Sequence, residues 1–362
     1  IALEECMRKA RQWEGLVDIL LDRAAGAEDP VQQRKLFAEI SRIYETELDQ
    51  LDKAIVVLLP IFMGDPGNDD LAASVSRLAR ALGRWDEVFA SVNQAIERPG
   101  EPEKAAILCN RMGRWYLEDL GRADFALPCY QKALTIAPGD PTALLGLEGL
   151  YRSQSSWTEL ADVLKRRIEV VKSPAERRDL QAGLGSILIT QLHDVPAATE
   201  IYSAILKEDP IHEDAFQALE RICIKEERWE ELARITEARA NALTDPVARK
   251  DAFYALAETC ETRLSNLEKA SGLYAKVLEL QPDHLPSLKA LEVIFAQTGD
   301  YKELNRVLEK QTEIASTPKQ RIDLMMRRAS IHEEEFLDSK AALGLVDGVL
   351  EIDPRMRAAL DG

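Results

Sequence analysis

Between Asp214 and Pro246 the apolar residues fall into two groups with three- and four-residue spacing: Leu219, Ile222 and Cys223, then Trp229, Leu232 and Ile235. Each group marks one helix face, because residues three and four apart stand on the same side of a 3.6-residue turn. The break between the groups centres on Glu226, Glu227 and Arg228, polar and short enough for a tight turn between antiparallel helices. Pro246 closes the segment. Proline cannot continue a helix and pushes the residue before it into extended geometry. The pattern predicts one helical hairpin.

The pattern recurs along the chain. Trp13, Trp85, Trp157, Trp229 and Tyr301 stand 72 residues apart. Pro30, Pro102, Pro174, Pro246 and Pro318 keep the same step, as do Pro66, Pro138, Pro210, Pro282 and Pro354, and the two series interleave at 36. Ala54, Ala126, Ala198, Ala270 and Ala342 follow. A fixed period of this length is the mark of stacked repeats, each too small to bury its own core. The prediction is an all-α chain of about ten hairpins and about twenty helices. It forms a single solenoid over 1–362, with units at approximately 1–66, 67–138, 139–210, 211–282 and 283–354. Ile1 corresponds to positions already inside a first helix, and 355–362 is expected to begin another. The chain therefore reads as part of a longer array with apolar end faces, through which self-association is conceivable. Pro60 and Pro128 interrupt apolar second-helix patterns, predicting a kink or a late start there.

Within each 72-residue step the second hairpin carries a recognisable set. Met112-Gly113-x2-Tyr116 and Leu184-Gly185-x2-Leu188 lie in its first helix. Ala126 with Tyr130 and Pro138, Ala198 with Tyr202 and Pro210, and Ala270 with Tyr274 and Pro282 lie in its second. The chain resembles the tetratricopeptide repeat family, whose signature is W-x2-L-G-x2-Y, A-x3-F and P, in an alternating variant with a 72-residue double-hairpin unit. The resemblance implies a right-handed α-solenoid superhelix, non-enzymatic, that binds a partner protein in its concave groove. It also places the Trp229 series at the start of second helices, where the ring closes the hairpin. First hairpins depart from the family, with Leu160, Leu232 and Leu304 at the small-alanine position, which should widen their helix crossing.

Charge narrows the choice of partner. The 46 Lys+Arg against 63 Asp+Glu give a net charge of −17, which argues against nucleic acid, whose binding needs a basic footprint. No apolar run reaches the length that spans a bilayer. The longest, Ala54 to Met63, is ten residues and includes Pro60, so direct membrane insertion is not expected.

Candidate chemistry is sparse. Each of the five cysteines and His332 stands where other units carry core residues, His212 and His284 stand one 72-residue step apart in turns, and His193 has no histidine or cysteine near it. Unpaired cysteines fit a reducing compartment, favouring the cytoplasm. No phosphate-binding glycine motif or H-E-x-x-H occurs. The acidic run Gly64–Asp70 lacks the ligand spacing of a calcium loop and reads as a helix cap at Asn68, Asp69 or Asp70. No catalytic residue, metal ligand or cofactor is predicted.

One set of charges stands apart. Arg8, Arg80 and Arg152 share one repeat position, Arg77 and Arg221 a second, and Lys9 and Lys225 a third. Spacings of three and four place them on one helix face, matching the face that lines the groove in the resembled family. They predict a basic stripe for an acidic partner segment, against the alternative of a solvated face with charges balanced by neighbours. Reversing Arg80 and Arg152 to glutamate is expected to spare the helices. Two other readings stay open: a self-assembling rod with end-to-end contacts, and the regulatory arm of an enzyme whose catalytic domain lies elsewhere.

Overall fold

The computed structural model describes residues 2–98 and 100–356; of the helix expected to begin over 355–362, Arg355 and Met356 are not helical and 357–362 lie outside the described residues. Those described form twenty helices and no strand. The chain divides into two compact units, Ile1–His193 and Asp194–Gly362. The first holds α1 (Ala2–Lys9), α2 (Trp13–Ala25), α3 (Pro30–Thr46), α4 (Leu51–Gly64), α5 (Asp69–Leu82), α6 (Trp85–Ile96), α7 (Pro102–Glu118), α8 (Ala123–Ile136), α9 (Pro141–Ser153), α10 (Trp157–Val170) and α11 (Pro174–Thr190). The second holds α12 (Val195–Glu208), α13 (Glu213–Lys225), α14 (Trp229–Ala242), α15 (Pro246–Thr262), α16 (Leu267–Leu280), α17 (Leu285–Thr298), α18 (Tyr301–Ile314), α19 (Pro318–Glu334) and α20 (Ser339–Ile352).

The periodic residues sit at helix starts. The aromatic series opens α2, α6, α10, α14 and α18, and the Pro30 series opens the 17-residue helices α3, α7, α11, α15 and α19. Proline suits a first helical position because its φ is already helical and its missing N–H would have had no partner there. The residue before it often caps the helix. Asp29 accepts from Val31 N at 2.9 Å, Asp245 from Ala248 N at 2.8 Å and Thr317 from Gln320 N at 3.3 Å. Asn68 caps α5 in the same way, settling the choice left open for the acidic run.

Turns hold a regularity that residue identity conceals. Arg11, Gly83, Ser155, Glu227 and Gly299 all have positive φ, and so do Asp49, Gly121, His193, Ser265 and Leu337. These are two further 72-residue series of left-handed residues, one in each kind of hairpin turn. In the first kind the next N–H reaches back five residues, as from Arg228 to Cys223 O at 2.8 Å and from Ser156 to Tyr151 O at 2.9 Å, which satisfies the helix's last carbonyls. Seven of the ten residues carry a side chain, although only glycine adopts this geometry without steric cost.

Pro60 and Pro128 correct an expectation. α4 and α8 run uninterrupted through them for 14 residues and begin at the same repeat position as α16 and α20. Both prolines are exposed, as are Val56 and Asp124, whose carbonyls lose the helix bonds that the prolines omit.

Small residues decide how closely helices approach. A Cβ at Gly113 of α7 would stand 2.9 Å from the Tyr130 ring, and one at Gly146 of α9 would stand 2.6 Å from it. Tyr130, on α8 and buried, is thus wedged between two helix backbones and ties one hairpin to the next. Ala126, one turn earlier, is fully buried. The helices of α3/α4, α7/α8, α15/α16 and α19/α20 run closer together than those of α5/α6 or α13/α14; leucine does not account for this as expected, since α5/α6 carries the buried Val88 where Leu160, Leu232 and Leu304 stand. The aromatic series is less uniform than its spacing. Trp85 is buried against Phe89 and Trp115, whereas Trp229 is half-buried with the Arg263 guanidinium over its ring at 4.7 Å. Among the five, Trp85 alone is buried, where Trp115 and Phe62 supply extra ring surface.

Two stability predictions follow from this geometry. Leu337 is 82% exposed at φ 53°, so Leu337→Gly should stabilise the chain by about 1 kcal/mol, read as a raised thermal midpoint; an unchanged or lowered midpoint would contradict it. In α9, Gly146→Ala should destabilise by about 1–3 kcal/mol through collision with Tyr130. Gly149→Ala, with nothing within 4 Å, should stabilise by up to about 1 kcal/mol through helix propensity. Equal effects of the two alanines in denaturant titrations would refute the wedge.

Candidate protein-interaction surface

In the first unit, α5 and α7 flank an open groove of about 600 Å³. Arg77 and Arg80 project from α5, Arg111 and Arg114 from α7, with Trp115 and Ala72 on the apolar floor. Repeat spacing brings the first pair together, since residues three apart share a helix face. Arg111 and Arg114 were missed in the sequence, although Arg327 repeats the Arg111 position and signalled it.

Every arginine here has a carboxylate partner. Arg77 donates through Nε and Nη2 to the Glu45 carboxylate at 2.6 and 2.7 Å. Arg80 donates to Asp119, which also accepts from the Ser76 hydroxyl at 2.9 Å. Arg111 donates to Asp69 at 2.5 Å and to the Pro66 and Gly67 carbonyls, and Arg114 to Glu118 at 2.9 Å. The hydrogen bond from Arg111 holds the Asp69 carboxyl below its ordinary pKa, and the bond to Glu45 raises the Arg77 guanidinium. Arg8 of α1 pairs with Glu39 of α3, and Arg152 pairs at 2.9 Å with Glu148, which also holds Arg167. Lys9, Arg221 and Lys225 form no ion pair among the described residues.

These pairs are asymmetric. Arg80 is 66% exposed over a 7% exposed Asp119, and Arg152 is 57% exposed over an 11% exposed Glu148. Arg77 stands above Glu45 in the same order. In these three pairs the carboxylate lies deeper than the guanidinium, whereas Arg111 lies beneath an exposed Asp69 and Arg114 and Glu118 are equally exposed. Arg77 leaves Nη1 free, and Arg80 commits only Nη2. Five donors per guanidinium leave several pointing outward. Glutamate at 80 or 152 would face Asp119 or Glu148, so charge reversal there would strike the fold as well as the surface, contrary to expectation.

The remaining candidates are structural. His212 and His284 cap α13 and α17, accepting from Ala215 N at 3.3 Å and Ser287 N at 3.4 Å. Half-buried His332 packs edge-on against Phe336, with Nε2 3.3 Å from Asn305 Nδ2. Cys109, Cys223 and Cys260 are buried, but Cys6 is exposed and Cys129 half-buried, correcting the expectation that all five are core. Burial pushes the Cys129 and Cys223 thiols up to about 11, which keeps them protonated and poorly nucleophilic. Among the described residues no group of three or more His, Cys, Asp or Glu is placed to hold a metal, and no helix is long and apolar enough to cross a membrane.

No protein-family model and no curated protein matches the chain. Among solved structures it is similar to the C-terminal part of a TPR repeat-containing protein from Cytophaga hutchinsonii, at 18% identity over 70% of this chain and 98% of that one, with a TM-score of 0.31. It is similar to YrrB, described as a TPR protein with an unusual peptide-binding site, at 24% identity over 55% and 96%, TM-score 0.31. A structure of Naa15/Naa10 bound to HypK-THB matches at 15% identity over 89% and 59%, TM-score 0.38. These likenesses are loose, and the fold rests on the hairpins themselves. With its aromatic and proline helix starts and its glycine and alanine close contacts, the described chain is built of α-helical hairpins.

Proposed function

We propose that the chain is a non-enzymatic scaffold that holds an acidic segment of a partner protein in the groove between α5 and α7. The observation that supports this reading is the order of charges, with guanidiniums at the rim and carboxylates beneath. An arginine fork grips a carboxylate through two parallel hydrogen bonds. Each guanidinium keeps N–H donors that its own carboxylate does not use, so an incoming carboxylate can bind without displacing the buried one. The concave setting concentrates their field despite the net charge of −17. Arg8 and Arg152 extend the same chemistry within the first unit, and Arg221 and Lys225 supply unpaired cations in the second.

The test uses a fluorescent peptide of alternating glutamate and serine. Replacing Arg77 and Arg80 together by glutamine keeps a donor for the floor carboxylates while removing the charge. This should weaken peptide binding about tenfold with little change in the helical melt, and native binding should fall as salt rises from about 50 to about 500 mM. Undiminished binding by the double variant would mean that the rim is only a solvated face.

A further inference from the structure

A second crevice, of about 380 Å³, lies between α3 and α4 and has a different character. Phe37, Val56, Val57, Pro60 and Ile61 line it, with Gln33 and Arg34 at its edge. Its meaning comes from comparison with the same place in other second hairpins. Phe253 of α15 repeats the Phe37 position, and there Lys276 of α16 lays its ammonium over the ring at 5.2 Å while Arg249 lies over it at 5.6 Å. In α7/α8 the corresponding pair is Cys109 and Lys132. Burial raises the Cys109 thiol, and the nearby Lys132 ammonium opposes that rise. In α19/α20 the methyl end of Met325 fills the space over Gly348, 2.6 Å from where a Cβ would stand.

α15/α16 and α19/α20 thus fill the place with their own side chains. α3/α4 does not. Pro60 stands where α8 and α16 carry lysine, and Gln33 stands where α15 carries Arg249. Pro60 also has no N–H, so the helix leaves the Val56 carbonyl without its usual donor. Val56 is 66% exposed and lines the crevice with Pro60. Half-buried Phe37 and the residue whose carbonyl Pro60 deprives of its helix donor line one apolar slot, both suited to a cation on an aliphatic stem.

We infer that the α3/α4 crevice accepts a lysine side chain from a basic segment of a partner protein, its stem laid along Phe37, Val57 and Ile61 and its ammonium directed to the Val56 carbonyl. A chain of net charge −17 draws a basic segment toward it. Arg34 forms no ion pair among the described residues and opposes the incoming charge, yet it does not bar it. Lys250 occupies the Arg34 position in α15, and Lys276 lies over the ring there all the same. This site is separate from the arginine-rimmed groove and takes the opposite charge, so each stands or falls alone.

The probe is an acetylated, amidated peptide Gly-Leu-Lys-Leu-Gly, fluorescently labelled, against its norleucine twin, which keeps the stem and lacks the ammonium, and a glutamate twin. The lysine peptide should bind the native chain about three- to fivefold tighter than the norleucine peptide. Pro60→Lys restores the side chain that α8 and α16 carry and should abolish binding while leaving the thermal midpoint unchanged or raised. Phe37→Leu keeps the slot apolar without the ring and should erase the preference for lysine over norleucine. Arg34→Gln should tighten lysine binding by removing repulsion. Equal binding of the lysine and norleucine peptides, no binding of either, tighter binding of the glutamate peptide, weaker lysine binding by Arg34→Gln, or undiminished binding by Pro60→Lys would each overturn the inference.

Discussion

A helical hairpin has two apolar faces and can cover only one of them by itself. That shortfall governs the rest of the molecule, because each hairpin must lend a face to the next. The clearest instance is Tyr130, which stands on α8 and reaches two other helices. It fits only because Gly113 and Gly146 present bare backbone to its ring. Ala126 and Ala270, fully buried one turn before Tyr130 and Tyr274, allow the same close approach. The pairs α3/α4, α7/α8, α15/α16 and α19/α20, with alanine there, run closer than α5/α6 and α13/α14, which carry Val88 and Leu232.

Charge is layered by the same stacking. Carboxylates at the junctions of neighbouring first helices, Glu45 and Asp119 among them, sit deep because the next helix covers them. Their arginine partners are long enough to reach past and end in water. Glu148 holds both Arg152 and Arg167 in this manner. An acidic protein thereby shows a basic rim along one groove. Burying the carboxylate costs little while its charge remains paired, and the guanidinium stays hydrated.

Function is sought where the repeat departs from itself. Pro60 is such a place: it breaks a lysine position, opens a slot and strips a donor from a carbonyl in one substitution. Its tolerance has the same cause as its interest, since both the proline and the residue whose carbonyl it frees are exposed. Trp115, in contrast, departs from the repeat without opening anything. It fills the core between Phe62 and Trp85.

The sequence by itself determined the helices, their pairing and their starts, because apolar spacing and proline chemistry are local and were repeated five times. Trp229 at the opening of α14 and Pro246 at the opening of α15 were legible for that reason. The left-handed turn residues were not, since only three of the ten are glycine and a strained Glu227 or Leu337 looks like any polar or exposed residue in the chain. The arginines of the groove were partly legible through their period. Their floor was hidden, because Glu45 and Asp119 lie 32 and 39 residues from Arg77 and Arg80 and only packing brings them together. Pro60 was visible as an irregularity but read as a kink. Only the tertiary structure set it beside Phe37, because two residues 23 positions apart on different helices meet through the crossing of those helices and through nothing either carries alone.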